Sequence, residues 1–181
     1  MFHVEPSDSY HNMKKYFLAF TLVILSQTLT NAQGSMLPKD EEARALAVVT
    51  ELFDAYRDGD STRVSNTFTK DAVLQRAFKN KAGEYVLTAP DTHKKFVGYV
   101  GGGLDKLHDE QLWNSTVHVD QNLASIWTEY AFFLDKEFSH CGAENFLLQK
   151  INNEWKIFHL VDTRSVETCN VPETITMNST K

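Results

Sequence analysis

The sequence predicts an α+β fold, with helices first and a long antiparallel sheet second. Three observations carry this. Leu46, Val49, Leu52, Phe53 and Tyr56 recur at three- and four-residue steps and make one apolar helical stripe. Aromatic-rich runs broken by short polar turns fill the stretch from Trp127 to Arg164, the pattern of consecutive antiparallel strands. The connections are short and no internal repeat interrupts them. These lengths fit three N-terminal helices packed on a strongly curved sheet, leaving a cone closed at one end by the first helix.

The elements are justified in order. Asp40 is placed to cap a helix over 41–58, with acidic residues in its first turn and Gly59 suited to the left-handed turn that ends it. A second, short helix is expected over 61–68. A strand begins at Asp71, and Lys79-Asn80-Lys81-Ala82-Gly83 reads as a hairpin turn. A third helix is expected from Ala89-Pro90-Asp91, with Phe96, Val97 and Val100 as its apolar side and Gly101-Gly102-Gly103 ending it. That glycine triplet lacks the strand-before, helix-after setting of a phosphate-cradling loop. Strands are then expected over 112–119, 124–134, 144–150 and 155–164, joined by tight turns at Asp120-Gln121-Asn122 and Asn152-Asn153.

The ends stand apart from this core. Lys14 and Lys15 precede an apolar run over 16–25, and Thr30-Asn31-Ala32 follows with small residues at −3 and −1 of a cleavage site. The expected start is Met13, with 1–12 an upstream extension, a signal peptide ending at Ala32, a linker over 33–39, the domain over 40–165 and a flexible polar tail over 166–181. The protein is then exported, periplasmic or secreted, with no stable membrane association once the leader is cleaved. Export allows the one bridge that two cysteines permit, Cys141–Cys169. A buried free Cys141 beside an unrelated Cys169 is the equal alternative.

The composition bounds the partners. A formal charge of −6 and no Lys/Arg cluster argue against nucleic acid and against anionic lipid. His93, His108, His118 and His140 show no metal-ligand spacing, so neither a metal nor another cofactor is expected.

The residues also carry a family likeness. The helix ending Gly59-Asp60, the segment Phe68-Thr69-Lys70-Asp71-Ala72, the helix before Gly101 and the four long strands together resemble the nuclear transport factor 2-like superfamily over about 40–164. The block Trp127…Tyr130-Ala131-Phe132…Ser139-His140-Cys141-Gly142…Phe146…Trp155-Lys156-Ile157…Asp162-Thr163-Arg164 is similar to exported, mostly bacterial members grouped as lumazine-binding-type, most without an assigned activity. The resemblance implies a cone-shaped pocket and a homodimer packed through the sheet. It also marks departures. Arg76 stands where steroid isomerases of this fold carry an acidic base, and Leu52 stands near their tyrosine, so steroid isomerisation is not expected. Nuclear transport is excluded for an exported chain.

The likeness sets the faces of the last strand. Lys156, Phe158, Leu160, Asp162 and Arg164 are expected to look into the cone, with Arg164 at its rim. Trp155, Ile157, His159, Val161 and Thr163 are expected to face outward. A carboxylate in an apolar cone needs a donor. His140 is the expected partner of Asp162, its pKa raised by the pairing, with His140 as base or hydrogen-bonder and Asp162 as orienter. The alternative is a buried polar pair that pins a strand end. Cys141 points away from its neighbour His140 on a regular strand, so a thiol dyad is not expected. Tyr56, Trp113, Trp127, Tyr130 and Phe132 are candidates to line or fill the cone. Tyr130 and Phe132 share a face, whereas Trp127 faces opposite to Tyr130.

Three functions follow. The first is an exported protein binding a small apolar or aromatic molecule. The second is a small isomerase, dehydratase or hydrolase-like enzyme using His140 and Asp162. The third is a dimeric interaction domain whose cone is filled by its own side chains.

Overall fold

The computed structural model describes residues 38–167 and 169–175. The expected leader and upstream extension, most of the linker and residues 176–181 lie outside them. Helix α1 spans Pro38–Asp58, with Asp40 and Glu41 in its first turn and Arg57 in its last. It begins earlier than expected, because a proline in the first turn forfeits only an N–H that would have had no helical partner. Asp40 therefore lies inside the helix rather than capping it. The apolar stripe is its buried side. Glu41 pins the helix to the sheet by accepting from Trp155 Nε1 at 2.9 Å and Lys150 Nζ at 2.8 Å.

Gly59 takes φ of 70°, and the chain turns at once into α2 (Ser61–Thr67). Asp60 caps α2, accepting from the backbone N–H of Thr62 and Arg63 at 3.0 Å each. Arg63 then binds Glu51 at 2.8 Å and Asp58 at 2.7 Å, which locks α2 against α1.

The strands are β1 (Phe68–Lys79), β2 (Tyr85–Leu87), β3 (Asp91–Thr92), β4 (His108–Asp120), β5 (Leu123–Leu134), β6 (Glu137–Ile151) and β7 (Glu154–Thr163). They form one seven-stranded sheet in the order β2-β1-β7-β6-β5-β4, with β3 also on β1. Only β1 and β7 run parallel. The third helix, α3, is shorter than expected, His93–Gly101. Asp91 and Thr92 are held by β1 instead, opposite Leu74 and Val73. Residues 137–143, outside the strand expected over 144–150, join it in the single strand β6.

Three one-residue bulges bend this sheet, and sequence alternation misses all of them. In β7, Leu147 faces His159 but Leu148 faces Ile157, so Phe158 is the extra residue. The strand changes phase there. Trp155 and Ile157 are buried in the core, while beyond the bulge Leu160, Asp162 and Arg164 line the cavity. The expected assignment of faces therefore holds only after Phe158: Lys156 and Phe158 do not line the cavity, and Trp155 and Ile157 do not face outward. In β4, Trp113 faces Glu129 and Thr116 faces Trp127, with Asn114 at φ of 51°. In β6, Ser139 is extra between Phe138 and His140.

Cys141 and Cys169 form the disulfide, with Cα atoms 5.8 Å apart. The backbone of Cys141 also pairs with Ser165. The tail, expected to be loose from Val166, is thus tied to β6 at Cys169.

Candidate functional site

A cavity of about 550 Å³ opens between α1, α3 and the concave face of the sheet. Leu52, Phe53, Phe96, Leu74, Leu134 and Leu160 give it apolar walls. Its polar side chains come from neighbouring strands. Arg76 on β1 stands opposite Asp162 on β7, and Asp162 stands opposite Glu144 on β6. Glu110 on β4 and His140 on β6 are each opposite Phe132 on β5. Sheet curvature turns these positions toward a common space.

Of the residues singled out by sequence, Tyr56, Tyr130, Phe132, His140, Asp162 and Arg164 line this cavity. Trp113 and Trp127 do not. Trp127 is 51% exposed, on the outer face that Tyr130 leaves by being three residues on. Trp113 faces Glu129, next to the β4 bulge, and shares that outer face.

The expected pair of His140 with Asp162 is not formed. Asp162 is taken by Arg76, whose Nε lies 2.9 Å from both carboxylate oxygens and whose Nη2 also binds Oδ2. The competition is decided by register: parallel pairing places Arg76 directly beside Asp162, whereas His140 has Ser139 Oγ at 3.0 Å from its Nδ1. The expected rise in the His140 pKa is reversed as well. Burial, then the positive charges of Arg164 and Arg76, push it down to about 4. His140 is a neutral imidazole at pH 7, packed against the rings of Phe132 and Tyr130 at 4.9 and 5.7 Å.

The main titratable feature is one the sequence reading missed. Glu110 and Glu144 meet in the cavity wall and hydrogen-bond to each other. Glu144 is only 4% exposed, and its Oε2 is out of solvent with no hydrogen-bond partner among the described residues. Burial pushes both carboxyls above the usual carboxylate range, and the nearby charge of Asp162 pushes the same way. Two carboxyls this close cannot both ionise cheaply, so the pair retains a proton at neutral pH. Period-two parity could have found Glu144, which shares its face with buried Phe146 and Leu148. Glu110 was lost because β4 was expected to begin later.

Two further sets of contacts shape the space. Tyr130 crosses over Gly142 and donates to the carbonyl of Thr163 at 2.8 Å. A Cβ on Gly142 would lie 2.1 Å from that oxygen and 2.7 Å from the Tyr130 ring, so the crossing requires glycine. At another part of the wall, His108 Nδ1 is 2.7 Å from Tyr56 Oη, and its Nε2 is 3.4 Å from Tyr99 Oη. Burial pushes the Tyr56 phenol up and the His108 imidazole down, so both groups are held neutral. Among the described residues no group of three His, Cys, Asp or Glu is placed to hold a metal ion.

No family model matches this chain, and no curated protein matches it in sequence. Solved structures do match. A nuclear transport factor 2-like protein from Cytophaga hutchinsonii superposes with a TM-score of 0.56 at 11% identity, over 72% of this chain and 100% of that one. A proposed dehydratase of the nuclear transport factor 2-like family from Streptomyces avermitilis gives 0.55 at 10%, over 72% and 99%. The beta subunit of a proposed aromatic-ring-hydroxylating dioxygenase from Novosphingobium aromaticivorans gives 0.58 at 8%, over 72% and 92%. The chain has the nuclear transport factor 2-like fold.

Proposed function

We propose that this chain is an exported protein that holds one small, largely apolar or aromatic molecule in its cavity. The carrying observation is the cavity itself: about 550 Å³ left open although Tyr56, Phe53, Phe96 and Phe132 stand around it. That volume is of the size that binds small molecules, and apolar walls with a few convergent polar groups are the usual composition of such sites. A planar heterocycle of the lumazine kind is one ligand of this class. The open space weighs against the reading in which the cone is filled by its own side chains. Export is supported by the leader-like sequence before Gln33 and by the Cys141–Cys169 bridge, which persists in oxidising compartments.

A second reading is a small isomerase or dehydratase-like enzyme. It draws on the Glu110–Glu144 pair, not on His140 with Asp162, and the Streptomyces neighbour's description is in line with it. Pairing of two copies through the outer sheet face belongs to the same proposal; Leu123, Trp127 and Ile151 are exposed there. Sedimentation of the wild type against Trp127→Asp tests it: a monomeric wild type rules the pairing out.

The decisive experiment for binding is mass spectrometry of small molecules released from protein purified from its native compartment. A compound that recurs across preparations and is lost when Leu74→Trp narrows the cavity supports the reading. Repeated release of nothing, together with no binding of apolar probes, removes it.

A further inference from the structure

The Glu110–Glu144 pair has no partner but itself. Among the described residues neither carboxyl receives a hydrogen bond from an N–H or a hydroxyl, although Arg76, Tyr130, His140 and Ser139 all line the same cavity. Arg76 is committed to Asp162, Tyr130 to Thr163, and Ser139 and His140 to each other. A buried carboxyl without donors is costly unless it carries a proton of its own. With both carboxyls neutral, one O–H closes the hydrogen bond between them and the other is left to donate toward the cavity.

The neighbouring charges select the ligand. Arg76 is compensated by Asp162, whereas Arg164 at the rim has no carboxylate partner among the described residues. A cation entering the cavity would pass that arginine and have to displace a proton from the neutral pair. An anion reaching the inner wall would meet the charge of Asp162. An uncharged acceptor atom meets neither penalty.

We infer that Glu110 and Glu144 act as one hydrogen-bonded pair of neutral carboxyls that donates its second O–H to the carbonyl oxygen or ring nitrogen of an uncharged planar ligand. This rests on the cavity being a ligand site and adds the chemical class the site takes. The groups facing the pair are Arg76 on β1, Asp109 on β4, Tyr130 on β5 and Asp162 on β7. The two aspartates oppose loss of the proton and Arg76 favours it, so the donor form persists through neutral pH and is lost on the alkaline side.

The test uses three probes of one shape: tetralin, 1-tetralone and 1-aminotetralin. Binding is followed by protein NMR, with infrared spectra of the protein and of the bound ketone. At pH 6 the ketone binds about tenfold more tightly than the hydrocarbon, the advantage of one well-made hydrogen bond. Its carbonyl stretch shifts down on binding, and a protonated-carboxyl band is present in the wild type and absent from the Glu110→Gln/Glu144→Gln double variant. The ketone's advantage declines as pH rises in the wild type but not in Glu144→Gln, whose amide keeps a donor at every pH. Equal binding of tetralin and 1-tetralone would overturn the role of the pair while leaving the cavity a binding site. Tightest binding of the amine, or no protonated-carboxyl band at pH 6, would overturn it too. Failure of all three probes to bind would remove both the inference and the reading beneath it.

Discussion

Arg76 and Asp162 stand directly opposite each other in the parallel β1·β7 register, and the guanidinium holds both carboxylate oxygens. The pair is half in solvent: the Arg76 side chain is 42% exposed and that of Asp162 is 12%. Arg76→Met strands the carboxylate and is expected to cost about 2 kcal/mol, below the full penalty for breaking a buried pair because water screens the arginine side. Urea unfolding measures this. Removing that positive charge also raises the His140 pKa from its depressed value, which NMR titration of the imidazole reads directly.

Glu144→Gln is expected to stabilise the protein at pH 8 and to change little at pH 5. Burial raises the folded pKa of both carboxyls above the ordinary 4.5, with Glu110 pushed up to about 8. A raised carboxyl leaves stability intact below the unfolded value and erodes it as pH rises toward the folded one, because the unfolded chain ionises first. Gln cannot ionise and removes that erosion. Urea midpoints at pH 5 and pH 8 decide it, and equal shifts at both would show that the pair does not titrate as described.

His140 acts in the opposite direction. Its folded pKa lies near 4 against an ordinary 6.5, so the unfolded chain takes up the proton first. Stability is full above pH 6.5 and falls as pH drops from there toward 4. His140→Gln is expected to flatten this acid limb while leaving the alkaline limb set by the glutamates. A pH series of thermal unfolding for the two proteins checks it.

Gly142→Ala is expected to destabilise by about 3 kcal/mol. The added methyl would need the Thr163 carbonyl and the Tyr130 ring to withdraw, since they lie 2.1 and 2.7 Å from its position. Tyr130→Phe removes only the hydroxyl and should cost about 1 kcal/mol. Chemical denaturation distinguishes the two, and near-equal losses would mean that the crossing over Gly142 is not what matters.

Cys169→Ser opens a bridge between residues 28 apart in sequence and is expected to cost about 3 kcal/mol. Reduction of the wild type should reproduce the shift in thermal midpoint. Cys141→Ser should match it, which separates loss of the bridge from loss of the thiol.

The helices and most strands were legible because their patterns are local. The stripe from Leu46 to Tyr56 needs only a period of 3.6, and the runs from Trp127 onward need only a period of two. The fold followed from their order. What failed was anything decided by pairing between distant strands. Strand alternation and the family likeness turn Asp162 into the cavity, where it lies, but its partner is 86 residues away on a parallel strand, and nothing local to Asp162 names Arg76. Glu144 obeys parity and could have been found. Trp127 was already opposed to Tyr130 by spacing, and the structure puts it outside. The sequence alone does not decide the Cys141–Cys169 bridge, because a separation in sequence says nothing about a distance in space.

The extra residue at Phe158 gives β7 two duties. Ahead of it the strand seals the core beneath the first helix; behind it the same strand furnishes the cavity wall. Its side chain belongs to neither part: Phe158 is outside the buried core and outside the cavity lining. What sets the two parts is the count of residues between Ile157 and Leu160. Substitution at 158 is a minor edit, while loss of that one residue would turn the arginine-bound carboxylate, the leucine before it and the rim guanidinium outward as a set, and would leave the hollow without its far side.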